Sequence, residues 1–315
     1  MMRYAFVFIA LMLNTLAADA QVTGVSCCDW MMLKRQKLGA FQLSKDINAD
    51  GLEMDMGPLG RRVLFENRFR THPNETATFR HTADSLGIRV SSVAMSGFFA
   101  QTLLDRRFNE YTREDGTKDC YPHTKAESLQ NYRDLFDDCF STMEKFGAKV
   151  AFLPLGGSGK EWQTGDGAAY DTLVVRLRMI GEMARQRGVV VGIRTAMPAD
   201  FSIRMLRDIN SPGIKIYYNL QDACDNHWDA CQELRKLGPD RLCQIHCSNT
   251  DSVTLRHDPE VDLPKLVRTL KEIGYQGWLT VERSRNAKAV KNVRGNYGDN
   301  VAYIKEVLAE VYGKK

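Results

Sequence analysis

What this sequence lacks narrows its chemistry before any motif is read. Its eight cysteines contain no C-x-x-C pair, so the usual spacing of a structural zinc site is missing. There is no long basic block, and Lys plus Arg outnumber Asp plus Glu only 43 to 39. That small excess offers little to a phosphate backbone, and no nucleic-acid partner is expected. No G-x-G-x-x-G follows the first apolar segment, as an open dinucleotide-binding sheet would require. The stretch Gly156-Gly-Ser-Gly-Lys160 lacks P-loop spacing and reads as a loop lining a cleft. No apolar run reaches the roughly 20 residues of a membrane helix. The run from Ala5 to Leu16 follows Arg3 and precedes Ala18-Asp-Ala20, the pattern of a signal peptide cleaved after Ala20. A mature chain from Gln21, exported to the periplasm or beyond the cell with no stable membrane span after cleavage, is the expectation. Export permits disulfides, and Cys224 and Cys231 could pair across a loop, but a chain this long needs no staples and most of the eight cysteines read as core or loop thiols.

What is present is an alternation of short apolar runs with amphipathic stretches. With 43% hydrophobic residues over 315 positions, the chain can bury one sizeable core. Strands are read at about 24–30, 51–57, 88–95, 149–155, 189–195, 214–219, 242–247 and 278–281, most of them rich in β-branched residues and bounded by turn residues. Helices are read at 34–48, 129–146, 169–187, 228–237, 262–273 and 300–312, several ending at a glycine such as Gly188 or Gly274. Eight strands alternating with about eight helices predict an α/β fold, a single-domain (β/α)₈ TIM barrel over 21–315. The polar stretch 96–125 after the third strand is longer than a compact connection needs and reads as a partial lid.

Reactive groups in such barrels project from strand C-termini. The sequence places Glu53 there on the second strand, Lys160, Glu161 and Trp162 after the fourth, Arg194 on the fifth, Asn219 and Asp222 on or after the sixth, His246 on the seventh and Glu282 on the eighth. Trp162 and Phe98 offer apolar ring faces for a ligand there. Asn219, Glu161, Lys160, Trp162 and Phe98 are therefore the expected substrate contacts.

The last hundred residues carry a more specific pattern. Gln244-Ile-His246, then Asp262-Leu-Pro-Lys-Leu and Leu270-Lys-Glu-Ile-Gly-Tyr-Gln-Gly-Trp-Leu-Thr-Val-Glu282, resembles the C-terminal part of the xylose-isomerase-like sugar isomerase/epimerase superfamily. Tyr217-Tyr-Asn-Leu-Gln-Asp222 resembles its sixth-strand segment, and Val191-Gly-Ile-Arg194 its fifth. The resemblance implies one divalent metal (Mn, Mg, Co or Zn) held by Glu, Asp, His and Glu from strands five to eight. It also implies proton transfer alpha to a carbonyl of a small carbohydrate. Here Arg194 and Asn219 stand at the first two of those positions, leaving His246 and Glu282 with Asp222 as the expected metal ligands. An arginine cannot ligate a cation, but it can stabilise an enediolate electrostatically. Glu282 or Glu53 would then be the proton-transfer base and His246 an acid or hydrogen-bond donor.

Two readings follow from that pattern: a sugar isomerase, epimerase or keto-sugar lyase, and a carbohydrate-binding barrel that has lost catalysis. A phosphoesterase of the endonuclease IV type would need more metal ligands than six histidines readily provide. Export favours free sugars, glycosides or oxidised keto-sugars over sugar phosphates as substrate.

Overall fold

The structure, a computed structural model, describes residues 21–33, 36–56, 69, 73–99, 103–104, 111–112, 118–119, 125–156 and 161–313. The expected signal peptide, Lys160 and most of the 96–125 stretch lie outside them. Eight parallel strands form a closed barrel: β1 (Gly24–Cys28), β2 (Gly51–Asp55), β3 (Arg89–Ala94), β4 (Val150–Pro154), β5 (Val190–Arg194), β6 (Ile214–Asn219), β7 (Leu242–His246) and β8 (Trp278–Val281). β8 closes on β1 with Gly24 beside Trp278 and Cys27 beside Val281. The main helices between and after the strands are α1 (Leu38–Asp46), α2 (Pro73–Leu86), α3 (Lys125–Phe146), α4 (Gly167–Gln186), α5 (Ala199–Ile209), α6 (Ala230–Arg241), α7 (Leu263–Glu272) and α8 (Val293–Tyr312). This is the expected (β/α)₈ barrel.

The strands are buried on both faces. The outer face packs on helices and the inner face fills the barrel, which is why Gly-Val-Ser-Cys-Cys and Gly-Leu-Glu-Met-Asp are buried at every position. Helix ends follow local chemistry. The Asp262 side chain accepts from the Lys265 amide, and Pro264 sits in the first turn of α7, so the Asp-Leu-Pro motif is a helix start. Asn219 does the same for the short helix Leu220–Asp225 by accepting from Gln221 N. At Gly238, with φ +66°, the helical run at the end of α6 breaks just ahead of β7.

The helices α2 and α5 escape a hydrophobic reading of the sequence. α2 is mostly polar and α5 is only eleven residues long between a proline and a left-handed Asn210. Of the long loop, the structure describes a 3₁₀ turn at Ser96–Phe99 and a two-residue antiparallel pair, Tyr111–Thr112 with Lys118–Asp119. Cys224 and Cys231 are free thiols, as are Cys27, Cys28, Cys139, Cys243 and Cys247; the one bridge the spacing allowed does not form. Among the described residues no helix is long and apolar enough to cross a membrane.

Candidate functional site

The barrel interior is polar where the site begins. Gln244 on β7 lies 2.8 Å from the hydroxyls of Ser92, Tyr217 and Thr280, and Ser26 and Thr280 share a 2.9 Å hydrogen bond. Above this layer sits Glu53 of β2, fully buried. Its Oε1 accepts from Ser92 Oγ at 2.8 Å and from Tyr217 Oη at 2.9 Å. Its Oε2 meets His246 Nε2 at 2.7 Å and accepts from the Cys28 thiol at 3.1 Å. Burial works against the Glu53 charge, but the His246 ring and these donors outweigh it and hold its pKa below the usual glutamate value. Burial and the Glu53 charge push the Cys28 thiol well up, so it stays protonated and donates.

His246 ends β7 and is fully buried. Its ring is packed by Phe152 and Tyr217 at centroid distances of 4.7 and 4.6 Å, with Trp30 at 6.2 Å. The short contact to a carboxylate assigns a proton to Nε2. Nδ1 faces the other way, 3.4 Å from Glu282 Oε2 and 3.3 Å from the Asn219 amide nitrogen. Asn219 cannot turn its oxygen toward that space, because Oδ1 is engaged by Gln221 N at 2.9 Å.

Glu282 extends from the end of β8. Ser248 receives its backbone N–H at 3.2 Å and Tyr297 donates to its carbonyl at 2.7 Å, which fixes its backbone. Arg194, at the end of β5, forms two bonds to Asp222: Nε at 2.9 Å and Nη2 at 2.6 Å. Its third nitrogen, Nη1, is 4.0 Å from Glu282 Oε2. Burial opposes the guanidinium charge, but Asp222 and Glu282 raise its pKa above the usual arginine value. The exposed ring of Phe99 lies 5.7 Å from the guanidinium carbon and 5.8 Å from Phe152.

The structure therefore unites Glu53, His246, Glu282, Arg194, Asn219 and Asp222, all expected from sequence. Others fall elsewhere. Phe98 is buried on Phe136, and Trp162 is buried against Phe201, so neither presents a ring face to the cleft. The exposed Phe99, one residue along, supplies that face instead. Glu161 is exposed at the start of a 3₁₀ turn. Lys160 lies outside the described residues. Glu53 is not a base open to substrate; it is the buried partner behind His246. Cys28, Ser92, Tyr217 and Trp30 were missed as site residues. The signal for Cys28 was its place at the end of β1, the strand with the least regular sequence.

The metal set His246, Glu282 and Asp222 does not assemble. Asp222 is spent on Arg194, Asn219 turns nitrogen rather than oxygen inward, and a fixed cation stands beside Glu282. These residues do not fit the metal that the resemblance implied at strands five to eight. Among the described residues, the one group of three metal-capable side chains is Cys28, Glu53 and His246, all buried.

The profile of the Xylose isomerase-like TIM barrel family matches residues 41–307, and the chain belongs to that family. None of the curated proteins matches its sequence. Solved structures share the fold at low identity. The 3-keto-D-glucoside 4-epimerase of E. coli superposes with a TM-score of 0.64 at 14% identity, covering 91% of this chain and all of that one (100%). A D-psicose 3-epimerase, solved in the presence of D-fructose, gives 0.67 at 12% identity over 90% and 99% of the two chains. A xylose isomerase domain protein from Planctomyces limnophilus gives 0.62 at 15% identity over 94% and 99%.

Proposed function

We propose that the protein is a sugar isomerase/epimerase-like enzyme that moves a proton alpha to the carbonyl of a small carbohydrate, with Arg194 supplying the positive charge at the strand ends. The observation that carries this reading is the convergence of three groups at the C-terminal mouth of the barrel. Arg194 Nη1 lies 4.0 Å from Glu282 Oε2, and that carboxylate lies 3.4 Å from His246 Nδ1. Asp222 occupies the other edge of the guanidinium and aims Nη1 at the site.

A substrate carbonyl oxygen bonded to Nη1 places its alpha carbon beside Glu282. Glu282 takes the alpha proton, Arg194 balances the enediolate charge, and His246 Nδ1 accepts the proton from Glu282 or returns it. Return to the opposite face, or to the neighbouring carbon, gives epimerisation or isomerisation. Phe99 and Trp30 offer ring faces for the apolar side of a sugar. The named activity of the keto-glucoside epimerase neighbour directs the search to keto-sugars and oxidised glycosides. The leader-like pattern of residues 1–20 supports an exported protein, and N-terminal sequencing of the exported form is expected to begin at Gln21.

The test is proton exchange in D₂O, followed by NMR on a panel of keto-sugars and 3-keto-glycosides. Loss of an alpha-proton signal with the native chain, and none with Glu282→Gln, supports the reading. A sugar that raises the unfolding midpoint but never exchanges its alpha proton would show a carbohydrate-binding barrel without catalysis.

A further inference from the structure

Behind the strand-end groups lies a second constellation, which shares His246 with the proposed proton transfer and joins it to Cys28 and Glu53. Cys28 from β1, Glu53 from β2 and His246 from β7 bring one sulfur, one oxygen and one nitrogen together in the barrel interior. Cys28 Sγ is 3.1 Å from Glu53 Oε2 and 3.7 Å from His246 Nε2, and the last two atoms are 2.7 Å apart. An ion about 2.0–2.3 Å from each donor, the range of zinc bonds to oxygen, nitrogen and sulfur, fits just off the plane of that triangle with a small spreading of the Glu53–His246 pair. We propose that Cys28, Glu53 and His246 form a buried site for a borderline-soft divalent cation, Zn²⁺ before Mn²⁺ or Mg²⁺.

The charge balance supports it. Glu53 is fully buried, and among the described residues no arginine or lysine pairs with it; its neighbours are the His246 ring, a thiol and two hydroxyls. A divalent cation with one carboxylate and one thiolate is neutral as a unit, so the buried set carries no net charge with the ion in place. On binding, the Cys28 thiol proton leaves to solvent and sulfur takes the ion. The imidazole proton moves from Nε2 to Nδ1, where Glu282 accepts its hydrogen bond at the distance already present, so in the ion-bound state Glu282 alone carries the alpha proton. Nε2 is freed to ligate, and Glu53 exchanges its bond to His246 for a bond to the ion while Oε1 keeps Ser92 and Tyr217. Three protein donors is the number at which zinc keeps one position open. Sulfur in the donor set selects against the hard ions Mg²⁺ and Mn²⁺. This set draws on strands one, two and seven and uses neither the fifth-strand position of Arg194 nor the sixth-strand position of Asn219.

Co²⁺ titrated into the chelator-stripped, reduced protein reads out the sulfur directly. One equivalent is expected to bind and to produce a near-ultraviolet thiolate-to-cobalt charge-transfer band, which Zn²⁺ displaces. Cys28→Ser is expected to lose the band with its circular dichroism unchanged, and Glu53→Gln to bind cobalt at least about tenfold more weakly. X-ray absorption of the zinc-loaded unaltered chain guards against variants that fail to fold; one sulfur neighbour at about 2.3 Å is expected. Failure of the folded native protein to bind Co²⁺, binding without the band, a band that survives in Cys28→Ser, or a zinc shell without sulfur overturns the site. No sugar enters these measurements, so their outcome is separate from that of the proposed activity.

Discussion

The two nitrogens of His246 face two different worlds within a single ring width. Inward, Nε2 meets a carboxylate whose every neighbour is buried and whose oxygens are already saturated by Cys28, Ser92 and Tyr217. Outward, Nδ1 meets Glu282, Asn219 and, beyond them, an arginine clamped by Asp222. The inner half resembles a structural core: short bonds, complete burial, each donor with its acceptor. The outer half keeps its groups 3.3–4.0 Å apart, close enough to act on a shared ligand and too far to satisfy one another. Stability is concentrated on one side of the imidazole and reactivity on the other, and the comparison assigns each residue to a side.

The sharpest way to break that division is Glu53→Ala. Removing the buried acceptor strands four donors and is expected to cost about 3–5 kcal/mol in chemical denaturation; a loss under about 1 kcal/mol would mean the inner half is not structural. Next is Glu282→Gln. It is expected to lower alpha-proton exchange about 10²–10⁴-fold while moving the denaturation midpoint little, and a large stability loss with exchange intact would exchange the roles of the two carboxylates. Arg194→Met follows, with an expected fall of about 10²–10³-fold in kcat; full turnover without the guanidinium would remove it from the reaction. The smallest effect belongs to Tyr217→Phe. It deletes one of two donors to Glu53 Oε1 and is expected to cost about 1–2 kcal/mol, with kcat nearly unchanged if the inner half only supports.

Much of this was legible before folding was known. Strands six to eight were read correctly because their ends carry abrupt apolar-to-polar changes, Tyr-Tyr-Asn219, Gln-Ile-His246 and Thr-Val-Glu282. The same rule placed Arg194 and Glu53. It failed for the aromatic platform, since Phe98 and Phe99 are equivalent in composition and only the 3₁₀ turn at 96–99 decides which ring is buried. It failed again for Asp222, which looked like a spare metal ligand because nothing in the chain order shows that a guanidinium 28 residues earlier reaches it with two bonds.

The sequence alone determined the barrel. Its alternation of β-branched runs with amphipathic helices, and the caps and glycines that end them, are local signals set by backbone geometry and the burial of apolar surface. It also placed a cation-bearing side chain, Arg194, at the end of the fifth strand. The tertiary structure decided what those residues touch. Closing the barrel brings β1 and β2 across from β7, so Cys28 and Glu53 meet a histidine 218 and 193 residues away. Such contacts depend on strand tilt, register and side-chain packing across the whole ring, which no stretch of sequence contains.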